Sequence, residues 1–467
     1  MVFSSIIFLG IFFPLFLICY FLIKNRKYRN IIIVIFSLFF YSWGEPVWVF
    51  GMIILVFVDY LLALSCHRIN SKTVKSIFII FTVVSNLAML FVFKYYNFFI
   101  DNINSILDTN IPQFNLQMPI GISFFTFQAL TYVVDVYRKE VEPQKNYLNV
   151  LLYISMFPQL IAGPIVRYSD VAKQIENRKE TMDGFNAGMF RFSVGLCKKV
   201  IFANYAGMVS SALLNSEHLK SISTAGAWIG MIMFLCQLYF DFSGYSDMAI
   251  GLGKILGFTY KENFNYPYIA NSITDLWRRW HISLGQFFRD YVYIPLGGNR
   301  KHQIFNVVVV WLLTGLWHGA SWNYVMWGGY FVIFLLIERV LKKINIDITK
   351  APLINNLIVL IIIIFGWSIF YFEDFNNLKI FLKAMVGIGG DIAMQQREST
   401  PVYQFFYVII AMLIGCTPLP KKIAMIIFPE GKTRTSIVKG ICANAFFILC
   451  YTFLLMQSYN PFLYFRF

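Results

Sequence analysis

The chain has 467 residues, of which 58% are hydrophobic and only 13% are charged. Soluble domains average about 45–50% apolar and about 25% charged residues, so a water-soluble fold cannot bury this much apolar surface. The net charge of +15 would suit nucleic acid in a soluble protein. Here the basic residues lie in short loops between apolar runs, where they fix topology and contact anionic lipid, and we expect no nucleic-acid partner.

The N-terminus carries a charge pattern opposite to that of a signal peptide. No basic residue precedes the first apolar run, residues 3–23, whereas Lys24, Arg26, Lys27 and Arg29 follow it. Positive charge marks the cytoplasmic end of a span. The pattern therefore predicts an uncleaved first span with the N-terminus outside the cytoplasm.

Apolar runs along the chain predict an all-α fold, a polytopic bundle of about 11–12 spans with re-entrant segments, because a spanning helix needs about 20 apolar residues. Alternating basic loops place both termini outside. The predicted spans are 3–23, 31–43, 48–65, 76–93, 117–136, 187–214, 225–256, 304–317, 323–341, 354–372, 403–417 and 440–458. We expect one membrane domain, 1–467, comprising N-terminal spans (1–145), a catalytic core (146–345) and C-terminal spans (346–467).

Two stretches interrupt this alternation. Residues 148–165 are apolar but contain Pro158, Gly163 and Pro164, and basic residues flank both sides. Residues 264–299 carry several charges and helix breakers, which are tolerated at membrane depth only inside protein or beside a watery cavity. Both stretches are predicted not to span. The runs 304–317 and 323–341 are predicted to form a hairpin.

His318 is the histidine with the most unusual sequence environment, since it lies between two apolar helices. An ionisable residue inside the membrane is costly and indicates function, although a neutral histidine bonded to a carbonyl group is an equally good interpretation of its position. His281 follows Arg278 and Arg279 in a polar segment, and taken alone it is also consistent with a satisfied buried histidine. His67, His218 and His302 lie in polar loops or at helix ends, which favours interfacial roles.

Imidazole is the natural general base near neutral pH, as acyl transfer to a hydroxyl requires. Candidate donors to the developing oxyanion are a second histidine, Asn323, and the backbone N–H groups of Gly319 and Ala320. Arg278, Arg279 and Arg289 are candidate ligands of phosphate or carboxylate, although anchoring at the cytoplasmic surface is at least as consistent with their positions. Asp241 and Asp247 are spaced i, i+6 on one helix, which puts them on different faces and excludes a carboxylate dyad. Pairing of each with a buried arginine is favoured over catalysis. The cysteines form no metal-ligand pattern, so no metal is expected.

The ordered motifs of this chain resemble the membrane-bound O-acyltransferase family, in particular its bacterial branch of alginate O-acetyltransferase-like proteins. The resemblance covers nearly the whole chain. It is carried by residues 119–128 (PIGISFFTFQ), 157–165 (FPQLIAGPI), 239–247 (YFDFSGYSD), 263–268 (NFNYPY), 277–284 (WRRWHISL), 288–291 (FRDY), 295–300 (PLGGNR) and 315–319 (GLWHG).

By this resemblance, His318 corresponds to the family's essential intramembrane histidine and His281 to its second, more variable polar position. The remaining candidate substrate-binding residues are Asn323, Trp317, Arg278, Arg279, Arg289 and Asp241. The resemblance implies a tunnel whose cytoplasmic mouth receives acetyl-CoA or another acyl thioester. It also implies a hydroxyl acceptor on a cell-envelope polysaccharide, an extracytoplasmic acetyltransferase partner and a place in the bacterial cytoplasmic membrane, in contact with lipid.

Other functions stay open at this point. Two alternatives lie within the acyltransferase class: D-alanyl transfer to teichoic acid, whose branch shares both histidines, and acylation of a lipid or protein. A transporter or flippase would also have many spans and buried charges. A catalytically silent scaffold for a secreted transferase is a further alternative, which the intact His318 argues against.

Overall fold

The computed structural model describes residues 1–345, 351–427, 433–457 and 459–463, and these residues form helices and loops without a β-strand. Residue 458, the last of the predicted span 440–458, lies outside the described residues. Residues 346–350, where the predicted C-terminal segment begins, also lie outside them. Helices α1–α11 are Phe13–Leu22, Arg26–Ser42, Trp48–Arg68, Lys72–Leu90, Tyr96–Leu107, Ile122–Tyr137, Tyr147–Ser155, Phe157–Leu160, Tyr168–Asn177, Met182–Cys197 and Asn204–Leu213. Helices α12–α22 are Thr224–Ile255, Ile273–Arg279, Ile282–Phe288, Gln303–His318, Trp322–Lys343, Pro352–Tyr371, Phe375–Met385, Gln396–Gln404, Phe406–Gly415, Leu419–Ile427 and Thr433–Met456.

Six helices of the described chain are long and apolar enough to cross a membrane, or seven if the bent pair α19–α20 is one span. Three shorter apolar helices, Phe8–Leu22, Ile122–Tyr137 and Gln303–His318, coincide with three more predicted spans. Burial separates central helices from peripheral ones: 78% of the apolar window in Thr224–Ile255 is buried, against 17% in Lys72–Leu107. The predicted class, a polytopic helical membrane protein, is confirmed.

The chain divides into two compact units, which interleave along the sequence. The first comprises Met1–Phe192 and Ser246–Lys261, and the second comprises Ser193–Tyr245 and Glu262–Phe467. The division into 1–145, 146–345 and 346–467 stays a prediction.

In the first unit, the predicted non-spanning stretch 148–165 is a pair of short helices, α7 and α8, broken at Met156. Nine and four residues rise about 14 and 6 Å, far less than the hydrocarbon thickness of about 30 Å. Phe157 lies among phenylalanine rings, 5.1 Å from the ring of Phe16, and its backbone N–H donates to Ser37 Oγ at 3.0 Å. The stretch therefore packs inside the unit instead of crossing the membrane as one helix.

Part of the basic cluster after the first span is neutralised within the first unit. Glu180 forms ion pairs with Arg26 and, at 2.9 Å, with Arg29. Burial alone would raise the pKa of Glu180, but hydrogen bonds from Arg26 and Tyr20 outweigh it and lower the pKa to about 2. Glu180 is therefore ionised at physiological pH, and it ties its loop to the start of α2.

In the second unit, α15 and α16 form the predicted hairpin, and glycines allow the two backbones to approach closely. A Cβ on Gly328 would lie 2.4 Å from the carbonyl oxygen of Trp311, and a Cβ on Gly315 would lie 2.3 Å from that of Tyr324. Both distances are far below van der Waals contact, so only glycine fits at these two positions. The tip of this hairpin carries His318.

We expect Gly328→Ala to destabilise the protein by about 1–3 kcal/mol, because the added methyl group must push α15 and α16 apart. The measurement is thermal unfolding of the purified protein in detergent. Gly329→Ala is the matched control, since a Cβ at Gly329 meets nothing within 4 Å. Equal stability of the two variants would contradict this account of the hairpin.

A two-histidine cavity as the candidate active site

His281 sits at the joint of a helix–break–helix segment in the second unit. Helix α13 ends at Arg279 and α14 begins one residue after His281, whose φ of +44° is rare for a residue with a side chain. The carboxylate of Glu338, on α16, accepts hydrogen bonds from the first two residues of α13, including one from Thr274 Oγ1 at 2.6 Å. The backbone of His281 is therefore strained. Strain of this kind persists only where surrounding contacts hold it, and it concentrates at functional sites.

Asn263 holds His281 from the other side. Its backbone carbonyl accepts a hydrogen bond from Ile282 N at 2.9 Å. Its side-chain Oδ1 accepts from Ser283 N at 3.1 Å and from Ser283 Oγ at 2.9 Å, and lies 3.2 Å from His281 Nδ1. The ring of His281 therefore has a fixed orientation, with only 3% of the residue exposed.

His318 is the last residue of α15, at the tip of the hairpin, and is 7% exposed. Its ring packs edge-on against those of Trp327 and Phe370, with centroids 5.1 and 5.2 Å away. The ring of Trp317 lies 5.0 Å from that of His318 and 5.6 Å from that of His281. The histidines, 37 residues apart in sequence, thus flank one tryptophan.

Both histidines line a single cavity of about 520 Å³ in the second unit. Three arginines also line it, and none of the described residues on its wall is acidic. The lining residues are Thr274, Trp277, Arg278, Trp280, His281, Ile282, Leu284, Gly285, Gln286, Phe288, Arg289, Tyr293, Val307, Val310, Trp311, Thr314, His318, Leu335 and Arg339. The cavity therefore joins an apolar, aromatic wall to a set of fixed positive charges.

Sequence reasoning missed two polar groups of this wall, Arg339 and Trp277. Arg339 Nη1 and Trp277 Nε1 are buried and have no hydrogen-bond partner among the described residues. Buried donors are normally satisfied, and these two belong to residues that line the cavity. The available signal was a charged pair, Glu338-Arg339, inside the apolar run 323–341.

The cavity includes four of the predicted site residues, His318, His281, Arg278 and Arg289, and leaves the other four outside its lining. Arg279 pairs with Asp275 at 2.8 Å, one helical turn earlier. Asn323 is fully buried and its amide donates to the carbonyl oxygen of Phe370 at 3.1 Å. Trp317 packs against both histidine rings but is not among the residues that line the cavity.

The fourth of these, Asp241, forms a buried ion pair instead. Its Oδ1 lies 2.7 Å from Lys199 Nζ, with both side chains 3% exposed, and its Oδ2 accepts from Leu463 N at 2.8 Å. Lys199 also donates to the carbonyl oxygen of Pro461. The pair therefore fastens the C-terminal segment to α12, the kind of pairing that the i, i+6 spacing favoured, although the partner is lysine and not arginine.

The electrostatics of the cavity favour a neutral imidazole at His281, which lies outside the spanning helices. Burial, followed by the neighbouring His318, lowers the pKa of His281 well below its usual value. A neutral ring has one donor and one acceptor nitrogen.

Among the described residues, no group of three or more His, Cys, Asp or Glu side chains is placed to hold a metal ion.

Fold and site together define a class of protein: a polytopic helical membrane protein with an arginine-lined cavity whose wall includes two buried histidines. The model of the membrane-bound O-acyltransferase family matches residues 33–373, well over half of the chain. The chain belongs to this family, and it is an O-acyltransferase.

Its relatives differ in the polymers that their names specify. The chain is 35% identical to a probable alginate O-acetylase of Pseudomonas putida, over all of both chains. It is 32% identical to a peptidoglycan O-acetyltransferase of Helicobacter pylori, over 84% of this chain and 80% of that one. It is 29% identical to a teichoic acid D-alanyltransferase of Bacillus subtilis, over 57% of this chain and 72% of that one.

Proposed function

We propose that the protein transfers an acetyl group from a cytoplasmic thioester to hydroxyl groups of a cell-envelope polysaccharide, directly or through an extracytoplasmic partner acetyltransferase. The observation that supports this most is the single cavity that contains both histidines and three arginines. The acetylating relatives support it too, since they match over 84–100% of this chain and the D-alanyl-transferring one over 57%.

The reaction needs a base for the hydroxyl proton and a donor for the carbonyl oxygen. In our proposal, His318 takes the proton as the acceptor oxygen attacks the thioester carbonyl, the C–S bond then breaks, and the thiolate leaves and is protonated. Trp277 lines the cavity and its indole N–H has no partner among the described residues, so we take it as the donor to the developing oxyanion. Asn323 acts indirectly, by holding the start of α16 against Phe370.

In this proposal, the arginines of the cavity bind the acyl thioester. A guanidinium group binds phosphate through a fixed fork of donors, and coenzyme A carries several phosphates. Arg278 is exposed and has no ion-pair partner among the described residues, Arg289 forms an ion pair with its neighbour Asp290, and Arg339 Nη1 is a buried donor without a hydrogen-bond partner among the described residues. The three together form a phosphate-binding rim that a thioester donor would meet as it enters the cavity.

We expect Arg339→Gln to raise the KM for acetyl-CoA by about tenfold or more with a smaller change in kcat, because a charged hydrogen bond contributes about 1.5–3 kcal/mol. Steady-state kinetics in detergent measure both constants. Arg279→Gln is the comparison variant, since Arg279 pairs with Asp275 outside the cavity lining and its loss should leave KM within about twofold. If Arg279→Gln raised KM as much as Arg339→Gln, the assignment of phosphate binding to Arg278, Arg289 and Arg339 would be contradicted.

The basic loops support a location in the bacterial cytoplasmic membrane with both termini outside, which would place the thioester and the polymer on opposite faces. The experiment that tests the function is mass spectrometry of envelope polysaccharides from a deletion strain and from the same strain complemented with the gene. We expect ester-linked acetyl groups to disappear on deletion and to return on complementation. Loss of D-alanyl esters instead would assign D-alanyl transfer, and unchanged esters would overturn the proposal.

A further inference from the structure

The hydrogen bonds around Asn263 determine which ring nitrogen of His281 carries the proton. The backbone N–H of Ser283 can only donate, so the Asn263 atom that it contacts at 3.1 Å must be the amide oxygen. This settles the orientation of the amide, which is otherwise an ambiguous assignment. The same oxygen lies 3.2 Å from His281 Nδ1, so Nδ1 must be the nitrogen that donates.

A neutral histidine that donates through Nδ1 has its acceptor lone pair on Nε2. His281 lines the cavity, and its ring packs between Phe242 at 4.6 Å and Trp317 at 5.6 Å between centroids. We propose that Asn263 is a positioning residue that holds His281 as the Nδ1–H tautomer, so that His281 serves the transfer reaction as a proton acceptor through Nε2. This rests on the proposed function only for its catalytic consequence, not for the tautomer itself.

The consequence is a change in the role of His281. The sequence left open that a second histidine donates to the oxyanion, but neutral His281 has no proton on Nε2 to donate. Its Nε2 can accept a hydrogen bond from the attacking hydroxyl group or from the His318 ring once His318 has taken the proton. The backbone around His281, with its strained φ of +44°, is held on both sides. Asn263 O accepts a hydrogen bond from Ile282 N, and Glu338 accepts one from Thr274 N at the start of α13.

The charges that face His281 make the tautomer testable by pH. The titratable group of the neighbouring helix is His318, and the charged groups on the cavity wall are Arg278, Arg289 and Arg339. Burial and, after it, the neighbouring His318 disfavour a positive charge on the His281 ring. Replacing Asn263 with aspartate keeps the acceptor oxygen but adds a negative charge beside Nδ1, which stabilises the imidazolium form.

The first test reads the tautomer directly, without any enzymatic activity. Solid-state NMR of the full chain in lipid, with ¹⁵N-labelled histidine, assigns the His281 signals by their loss in His281→Asn. We expect a protonated Nδ1 and a bare Nε2 at neutral pH. Ser283→Ala should leave this unchanged because its backbone N–H remains, whereas Asn263→Leu should abolish the preference. A protonated Nε2 in the wild-type protein would overturn the proposal whatever the protein transfers.

The second test reads the consequence in kinetics. Asn263→Asp should move the acidic limb of the kcat–pH profile upward by about one unit or more, because a base of higher pKa is protonated, and so inactive, at higher pH. Asn263→Leu should lower kcat by about 10²-fold with the KM for acetyl-CoA little changed. A purely structural asparagine would give equal losses in both variants without a shift of the limb, and that result would overturn the positioning role.

Discussion

His318→Ala should lower the rate of acyl transfer by about 10²–10⁴-fold, the usual contribution of a general base. The loss should fall on kcat, because the ring acts on the acceptor hydroxyl and does not hold the donor. The measurement is transfer of labelled acetyl groups by membranes that contain equal amounts of each variant. We expect the melting temperature to change much less than the rate, since the cavity already leaves space beside this ring.

His218→Ala is the matched control for this substitution. His218 belongs to the same unit but is exposed in a loop before α12, so its removal should leave the rate within about twofold. Transfer by His318→Ala at the wild-type rate would remove the base from the mechanism. A comparable loss in His218→Ala would show that the assay reports damage to the protein and not chemistry.

Asp241→Asn should destabilise the protein by about 3–5 kcal/mol, because it leaves the buried Lys199 ammonium without its counter-charge. The substitution also weakens the anchor for Leu463 N, so the C-terminal segment should become accessible to protease. Thermal unfolding in detergent and limited proteolysis measure the two effects. If Asp241 instead bound substrate, the substitution would raise KM and leave the unfolding temperature unchanged.

Asp247 provides the control on the same helix, six residues further on. It pairs with Arg191 at 2.8 Å, but the two side chains are 16% and 29% exposed, so Asp247→Asn should cost only about 1 kcal/mol. The double variant Asp241→Leu with Lys199→Met removes both charges and should recover much of the lost stability. Equal destabilisation by all three variants would contradict the assignment of a buried pair.

Hydropathy predicted the helices best where an apolar run ends at strong breakers. The runs 304–317 and 323–341 are helices Gln303–His318 and Trp322–Lys343, and the segment between them is the tip that the sequence indicated. The run 76–93 was less informative: a π-helical turn, Phe91–Tyr95, extends the helix to Leu107 through polar residues such as Asp101 and Asn102. Those residues lower the hydropathy without breaking the helix.

Histidine positions were predictable from the sequence, but their neighbours were not. His318 and His281 were identified by chemistry and resemblance, and the structure brings them to one cavity. Asn263 lies 18 residues before His281, and only the fold reveals that one amide oxygen serves both Ser283 and the ring. No periodicity reports such a contact, because it depends on a left-handed residue between two short helices.

The arginines illustrate a second limit of the sequence. Arg278 and Arg279 are adjacent and chemically identical, yet one lines the cavity and the other pairs with Asp275. Successive side chains on a helix point about 100° apart, so the helix orientation decides which one reaches the site. Arg339 was overlooked for another reason. It lies near the end of an apolar helix, where an arginine usually anchors at the membrane surface.

The most direct test of the account is a structure of the protein in lipid with a non-hydrolysable thioether analogue of acetyl-CoA. We predict that the acyl carbonyl lies in the cavity between His318 and His281, within hydrogen-bonding distance of Trp277 Nε1. We also predict that the phosphates contact Arg278, Arg289 and Arg339. An analogue bound elsewhere, or an acyl group sealed away from His318, would contradict the account.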